Sequence, residues 1–214
     1  AAQMLGRHPK IANLGEQTAL GPALSRPDPL QFLKGLDTSG LETARAAYLK
    51  AIGADEQRSP VLVDKMPENY WFGGLIPRLF PDAVILHMRR PRLATCWSCF
   101  RNDFSHGHAY ATHFPHLLTQ YDTHLVLTEA ARKPAGDRWH EVALEALTQD
   151  PRGVLAPVLA QLRLEWDEAC LTPEAGGDTA TLSKWQVRQG IDPRLPKGWR
   201  SYLPFIEKTW GVSA

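Results

Sequence analysis

The chain has 214 residues, of which 43% are hydrophobic and 22% charged, and this is enough for one α/β domain with a proper core. Lysine and arginine number 24 against 23 aspartates and glutamates, so the net charge of +1 gives no general reason to expect nucleic acid or an anionic membrane surface as a partner. The sequence contains neither an apolar run of the roughly 20 residues that a membrane-spanning helix needs nor a signal-peptide pattern at its start. We therefore expect a soluble protein.

Cysteine usage indicates a reducing compartment. Cys96, Cys99 and Cys170 are too few and too unevenly spaced for a disulfide framework. The cytoplasm is the expected location.

The first elements in chain order are short. Residues 1–9 predict the last turns of a helix with Gly6 as its C-cap, and nothing upstream begins that helix. A short strand is predicted at 11–14, an irregular Pro- and Gly-rich excursion at 17–37, and a helix at 40–52.

The middle of the chain predicts a β-α-β-α unit. The apolar runs 60–63 and 83–86 are typical of parallel strands buried on both faces. A helix is predicted between them at 69–80, and a second helix from Pro91 to about Phe104. The sequence therefore predicts a parallel sheet flanked by helices.

Downstream, the pattern predicts a helix at 113–128, a strand at 138–144 and an amphipathic helix at 151–162. From Thr179 onward we expect an irregular cover that ends in a short helix. No linker divides the chain, so residues 1–214 are expected to form one domain.

Three charged residues follow predicted strands. Glu16, Lys65 and Arg90 each come at or just after the carboxyl end of a strand, where ligands bind in open parallel sheets. A base, a point cation and a guanidinium at one rim suit a reaction in which a proton leaves and an anionic group moves. Position alone favours charges that only meet solvent, and the residue types shift this towards a site.

Arg90 and Ser98 are eight residues apart, at a strand end and two turns into the next helix. A guanidinium and a hydroxyl placed this way can hold a phosphate. A helical serine is more often a surface residue or bonds back to the preceding turn, so the pair by itself is weak evidence.

Several segments together resemble a known family. The chain resembles the bacterial tetratricopeptide-linked sulfotransferases and, more distantly, the tyrosylprotein sulfotransferases. The matching segments follow the family's order and span nearly the whole chain: RHPKIANLGE (7–16), VDKMPENY (63–70), FPDAVILHMRRPRLATCWSCFRNDF (80–104), WDEAC (166–170) and LSKWQVR (182–188).

The resemblance implies a P-loop-like α/β sulfotransferase fold that moves a sulfuryl group from 3′-phosphoadenosine 5′-phosphosulfate to an acceptor hydroxyl, without a metal. By matching position it implies that Glu16 is the catalytic base, Lys65 the cation at the bridging and sulfuryl oxygens, and Ser183 a second transition-state contact. These roles fit the chemistry, because an attacking hydroxyl must lose its proton while charge builds on the bridging oxygen.

The resemblance also implies the donor site. Arg90 and Ser98 match the clamp on the 3′-phosphate, and Gln186 and Lys197 are the further expected donor contacts. The family usually continues the clamp arginine with Asp-Pro, whereas Pro91 and Arg92 follow here.

The family's phosphosulfate loop, P-R-S-G-T-[ST], would stand just before Ala1. We therefore expect residues 1–214 to be an N-terminally truncated sulfotransferase domain that lacks its first strand and this loop. Such a fragment is expected to fold poorly, to bind donor weakly and to be unable to perform the transfer.

Other functions fit less well. Cys96 and Cys99 form a C-x-x-C near several histidines, but the spacings match no standard zinc site, and core packing is favoured. No G-x-x-x-x-G-K-[ST] kinase loop occurs. An inactive nucleotide-binding or interaction module derived from a sulfotransferase is the alternative. The acceptor, whether peptide tyrosine, sugar or small phenol, and the oligomeric state are not indicated.

Overall fold

The computed structural model describes residues 1–24, 37–54, 59–102, 108–172 and 195–213, and for residue 23 and residues 195–197 the backbone alone. Four short strands alternate with helices in this part of the chain: β1 (Ile11–Asn13), β2 (Val61–Val63), β3 (Ile85–Arg89) and β4 (Trp139–Ala143). The α-helices are α1 (Ala2–Leu5), α2 (Leu20–Leu24), α3 (Thr38–Ala51), α4 (Ile76–Leu79), α5 (Arg92–Phe100), α6 (Phe114–Ala135), α7 (Leu144–Gln149), α8 (Pro151–Gln161) and α9 (Leu203–Trp210). Short 3-10 helices cover Pro67–Phe72, Ala109–Thr112, Gly136–Arg138, Glu168–Leu171 and Leu195–Tyr202.

The strands form two parallel pairs. In β1–β2 the register places Ile11 beside Val61, and in β3–β4 it places Ile85 beside Trp139. The two pairs are separate two-stranded sheets in the described structure. The predicted α/β class, with parallel strands flanked by helices, is confirmed.

Three groups of buried side chains hold these elements together. One joins α5, α6 and the C-terminal helix and includes Trp97, Phe114 and Ile206. The others lie against β1 and α8, and between α2, α3 and α4. The helical spacing predicted for α5 is correct, because Leu93 and Trp97 are both buried.

Some predicted boundaries are wrong. The segment 69–80 was expected to form one helix. It forms part of the 3-10 helix Pro67–Phe72 and the short helix α4, with Gly73 and Gly74 between them. Gly73 lies so close to α6 that a Cβ there would stand 2.9 Å from the Ala131 Cβ, and this favours glycine over a helix-forming residue.

Three further boundaries differ. The excursion predicted at 17–37 contains the short helix α2, where Leu20 and Leu24 become buried. Helix α5 ends at Phe100, and Phe104 lies outside the described residues. Helix α6 continues past Thr128 to Ala135. No helix in the described ranges is long and apolar enough to cross a membrane.

Candidate active site

The carboxyl ends of β1 and β2 form one rim. Beyond β1, the Leu14 amide donates to the Val63 carbonyl at 2.9 Å, and the Lys65 amide donates to the Gly15 carbonyl at 2.8 Å. Gly15 has a φ of 69°, a conformation that favours glycine. Directly after this turn, the Glu16 carboxylate accepts a hydrogen bond from the Lys65 ammonium. The structure thus brings together the predicted base and the predicted cation.

This ion pair lies at the surface of the rim. The Lys65 side chain is 44% exposed and the Glu16 side chain 28% exposed. An exposed pair contributes little to stability, typically below about 1 kcal/mol. Both groups are therefore accessible to a ligand, and their contact is easily exchanged for another.

Asp64 positions the rim, a role that we did not assign from the sequence. Its carboxylate accepts hydrogen bonds from the Gln17 amide at 3.2 Å, the Tyr48 hydroxyl at 2.9 Å and the Asn69 side-chain amide at 3.0 Å. Burial and the Asp64 charge raise the pKa of Tyr48. One carboxylate therefore ties together α3 and the segments that follow β1 and β2. The available signal was an aspartate directly before Lys65.

Arg90 follows β3 and is flanked by arginines with carboxylate partners. Arg89 contacts Glu141 at 3.2 Å, and Arg92 forms two hydrogen bonds to Asp122, of 2.9 and 2.5 Å. No described carboxylate forms such an ion pair with Arg90, and its buried Nε has no hydrogen-bond partner. Burial lowers the pKa of Arg90. A half-buried guanidinium that lacks a carboxylate partner is suited to binding an anion.

A cavity of about 810 Å³ is lined by both Lys65 and Arg90. The Tyr121 hydroxyl, also in its wall, donates to the Arg90 carbonyl at 2.9 Å and fixes the backbone where β3 leads into α5. Ser98, two turns along α5, is half-buried and does not line this cavity. The structure therefore brings Arg90, but not Ser98, to the cavity.

The remaining predicted site residues lie in the last part of the chain. Ser183 and Gln186 fall outside the described residues. Lys197 belongs to the 3-10 helix Leu195–Tyr202, and the structure describes only the backbone of Lys197. Their roles stay predictions.

The cysteine pair on α5 packs as core. Cys96 is 1% exposed and belongs to the group of buried residues that contains Trp97 and Phe114. Burial raises the pKa of the Cys96 thiol to about 12, so it stays protonated at neutral pH. The described residues contain no group of three or more potential metal ligands.

The protein is an α/β domain in which the charged residues Glu16, Lys65 and Arg90 follow the carboxyl ends of β1, β2 and β3. Residues 1–168 match the sulfotransferase family, and because this is most of the chain, the protein belongs to that family.

Two comparisons describe its relatives. A solved structure, the sulfotransferase domain from the Synechococcus PCC 7002 olefin synthase, is similar with a TM-score of 0.60 and 23% identity, over 94% of this chain and 82% of that one. An uncharacterized protein of Aquifex aeolicus (strain VF5) is 25% identical over 220 residues, which are 95% of this chain. The chain spans 29% of the length of that relative.

Proposed function

We propose that the protein transfers a sulfuryl group from 3′-phosphoadenosine 5′-phosphosulfate to an acceptor hydroxyl. Family and fold support sulfotransfer in general. The donor, the acceptor class and the residue roles are our proposal. The observation that carries it is the Glu16–Lys65 contact at the rim, with Arg90 on the same cavity as Lys65.

Glu16 acts as the base in this proposal. Its carboxylate accepts the proton of the acceptor hydroxyl as that oxygen forms its bond to sulfur. The bond between sulfur and the bridging oxygen breaks, and negative charge builds on the phosphate that leaves. Lys65 supplies a compact cation at that oxygen, on a flexible stem that lets it move from Glu16 to the leaving group.

The exchange of partners gives the ion pair a role in the cycle. In the structure the Lys65 ammonium bonds to the Glu16 carboxylate. An anionic donor competes for the ammonium, and the carboxylate is then free to face the acceptor. The exposure of both side chains keeps the cost of this exchange small.

Arg90 holds the 3′-phosphate in this proposal, through charge-assisted hydrogen bonds from its guanidinium. The same group would fit the phosphate of a related nucleotide, so binding alone does not establish transfer. Ser98, Gln186, Lys197 and the transition-state contact Ser183 are further proposed partners, on the basis of the resemblance. The acceptor is a peptide tyrosine, a sugar hydroxyl or a small phenol.

Transfer of labelled sulfate tests the proposal. The protein is incubated with labelled donor and acceptors of the three classes. We expect label on one class and its loss with Glu16→Gln, whereas Glu129→Gln, on the exposed face of α6, leaves transfer unchanged. Nucleotide binding without transfer to any acceptor would favour an inactive binding module instead.

A further inference from the structure

Glu68, His108 and Tyr110 form a chain of polar contacts that the proposed reaction does not use. The Glu68 Oε1 lies 3.1 Å from the His108 Nε2, and the His108 Nδ1 lies 2.9 Å from the Tyr110 hydroxyl oxygen. Glu68 belongs to the 3-10 helix Pro67–Phe72 that follows β2, whereas Tyr110 belongs to the 3-10 helix Ala109–Thr112. The fold thus brings a carboxylate from one segment to an imidazole and a phenol of another.

The carboxylate determines where the protons of this chain lie. An ionised Glu68 only accepts hydrogen bonds, so the Nε2 of a neutral His108 carries the ring proton and donates it to Glu68. The Nδ1 then holds a lone pair and accepts a hydrogen bond from the Tyr110 hydroxyl. A carboxylate, an imidazole and a hydroxyl in this order are the arrangement by which enzymes activate a hydroxyl as a nucleophile.

Tyr110 is the end of the chain that reaches the cavity of about 810 Å³. It lines this cavity together with Lys65 and Arg90, whereas Glu68 and His108 do not belong to the lining. The His108 and Glu68 side chains are 26% and 35% exposed, so a proton taken from Tyr110 has a path to solvent. The phenol thus shares a cavity with the two cations proposed to hold the donor.

The hydroxyl of Tyr110 keeps its proton at neutral pH. Burial raises the pKa of Tyr110 to about 12, and the neighbouring Tyr70 and Glu68 act in the same direction. The phenol therefore becomes a nucleophile only if its proton leaves as the new bond forms, and this is what a base in direct contact provides.

Three other tyrosines line the same cavity, Tyr48, Tyr70 and Tyr121. The Tyr121 hydroxyl donates to a backbone carbonyl, and the Tyr70 hydroxyl accepts from a side-chain amide. Tyr48 is 7% exposed and donates to the Asp64 carboxylate, which already accepts two further hydrogen bonds. Among these four phenols of the described cavity wall, Tyr110 alone contacts a histidine through its hydroxyl.

We propose that Tyr110 is a nucleophile of this cavity and takes a sulfuryl group from the donor onto its own hydroxyl. This inference rests on the proposed function. The Tyr110 oxygen forms a bond to sulfur, and the bond from sulfur to the bridging oxygen breaks with its electron pair on the leaving phosphate. The phenolic proton passes to the His108 Nδ1, and the Glu68 carboxylate stabilises the imidazolium until solvent takes the proton. The products are a tyrosine O-sulfate in the protein and 3′-phosphoadenosine 5′-phosphate.

The modification is expected to stop at one sulfate per chain. A sulfated Tyr110 places a fixed anion in the cavity that Lys65 and Arg90 line, where it competes with the donor for the same cations. The competing interpretation is that the Glu68–His108–Tyr110 contacts only tie residues 108–112 to the segment after β2. That interpretation predicts a loss of stability on substitution and no chemistry at Tyr110.

Labelled donor without any acceptor tests the proposal. The protein is incubated with sulfate-labelled 3′-phosphoadenosine 5′-phosphosulfate, and the tryptic peptide 102–132 is analysed by mass spectrometry under conditions that preserve the sulfate ester. We expect one label per chain on Tyr110, its absence in Tyr110→Phe, and an unchanged yield in Tyr202→Phe, an exposed tyrosine outside the cavity lining. Transfer to an added acceptor without label on Tyr110 would overturn this inference and leave the proposed function intact, whereas no transfer to either would overturn both.

Substitutions of the chain test the role of His108. His108→Ala should slow labelling of Tyr110 by about 10²-fold or more, the usual contribution of a general base, and added imidazole should restore part of the rate. His116→Gln, an exposed histidine on α6, is the control and should leave the rate unchanged. An unchanged rate in His108→Ala, or a slow rate that imidazole does not raise, would contradict the role of His108 as base. If His108→Ala fails to fold, Glu68→Gln decides, with labelling at least tenfold slower expected and an equal rate contradicting the relay.

Discussion

The Lys65 ammonium donates a hydrogen bond to the Glu16 carboxylate across 49 positions of the chain. Each residue follows a different strand of one parallel pair, and the parallel register brings both strand ends to the same rim. The contact therefore depends on the pairing of β1 with β2, and it couples a candidate base to a candidate cation.

Glu16→Gln should lower sulfate transfer by about 10²- to 10⁴-fold in an active form of the protein, the usual contribution of a general base. The amide keeps the size of the side chain but cannot take a proton, so donor affinity should stay nearly unchanged. Labelled-sulfate transfer and calorimetry with 3′-phosphoadenosine 5′-phosphate measure the two effects. Unchanged transfer would remove Glu16 from the mechanism.

Arg90→Ala should weaken binding of 3′-phosphoadenosine 5′-phosphate at least tenfold more than binding of adenosine 5′-phosphate. Only the first ligand carries the 3′-phosphate, and a hydrogen bond to a charged group is worth about 1.5–3 kcal/mol. Ser98→Ala should act in the same direction but more weakly, because Ser98 does not line the cavity that Arg90 lines. Calorimetry on both nucleotides measures both effects.

Arg92→Ala is the matched control for Arg90. Its guanidinium is bound to Asp122, so its loss should change thermal stability slightly and leave the ratio of the two nucleotide affinities unchanged. Equal losses for both nucleotides in Arg90→Ala would mean that this arginine supports the fold and does not select the 3′-phosphate.

Tyr48→Phe should lower the melting temperature by about 3–6 °C. The hydroxyl donates to the Asp64 carboxylate at 2.9 Å, and losing such a bond costs about 1.5 kcal/mol, at about 2–4 °C per kcal/mol in a chain of this size. The ring keeps its edge contact with Phe80. Asp64→Ala should cost more, because three donors lose their acceptor. Calorimetric melting with Tyr202→Phe as control tests this, and a smaller loss for Asp64→Ala than for Tyr48→Phe would contradict it.

Stability should fall as the pH is lowered from about 6.5 towards 4. His87 is 8% exposed, and its Nε2 lies 2.8 Å from the His124 Nε2. Burial, with His124 and Arg89 nearby, lowers the pKa of His87 from 6.5 to about 4, and burial also lowers that of His124. Between pH 6.5 and 4 the unfolded chain takes up a proton at His87 that the folded protein does not. The free energy of unfolding is therefore lower at pH 4 than at pH 6.5, by about 2–3 kcal/mol.

Urea unfolding at several pH values measures this dependence. His87→Phe should flatten it between pH 6.5 and 4, whereas His116→Gln, an exposed histidine on α6, reports the effect of removing a histidine outside the pair. The same slope in His87→Phe and the unchanged protein would show that the pair is not its source.

The order of residues determined much of the local structure and which charged residues follow the ends of strands. The apolar run at Val61–Val63 predicted β2, although these residues are half-buried and not buried on both faces as expected, and the spacing of Leu93 and Trp97 predicted α5, where both are buried. The charged residues at strand ends predicted where Glu16 and Lys65 lie, because parallel strands end at one edge. The break at Gly73 was missed, since the approach of α6 that requires it is not a local property.

Only the tertiary structure decided which charges are paired. Arg89, Arg90 and Arg92 are alike in sequence, but a carboxylate from β4 reaches the first and one from α6 reaches the third. Asp64 became a positioning residue because three donors from separate segments converge on it. Ion pairs and hydrogen bonds act over a few ångströms, so their partners are fixed by how distant segments pack, whereas periodic burial is already present in the sequence.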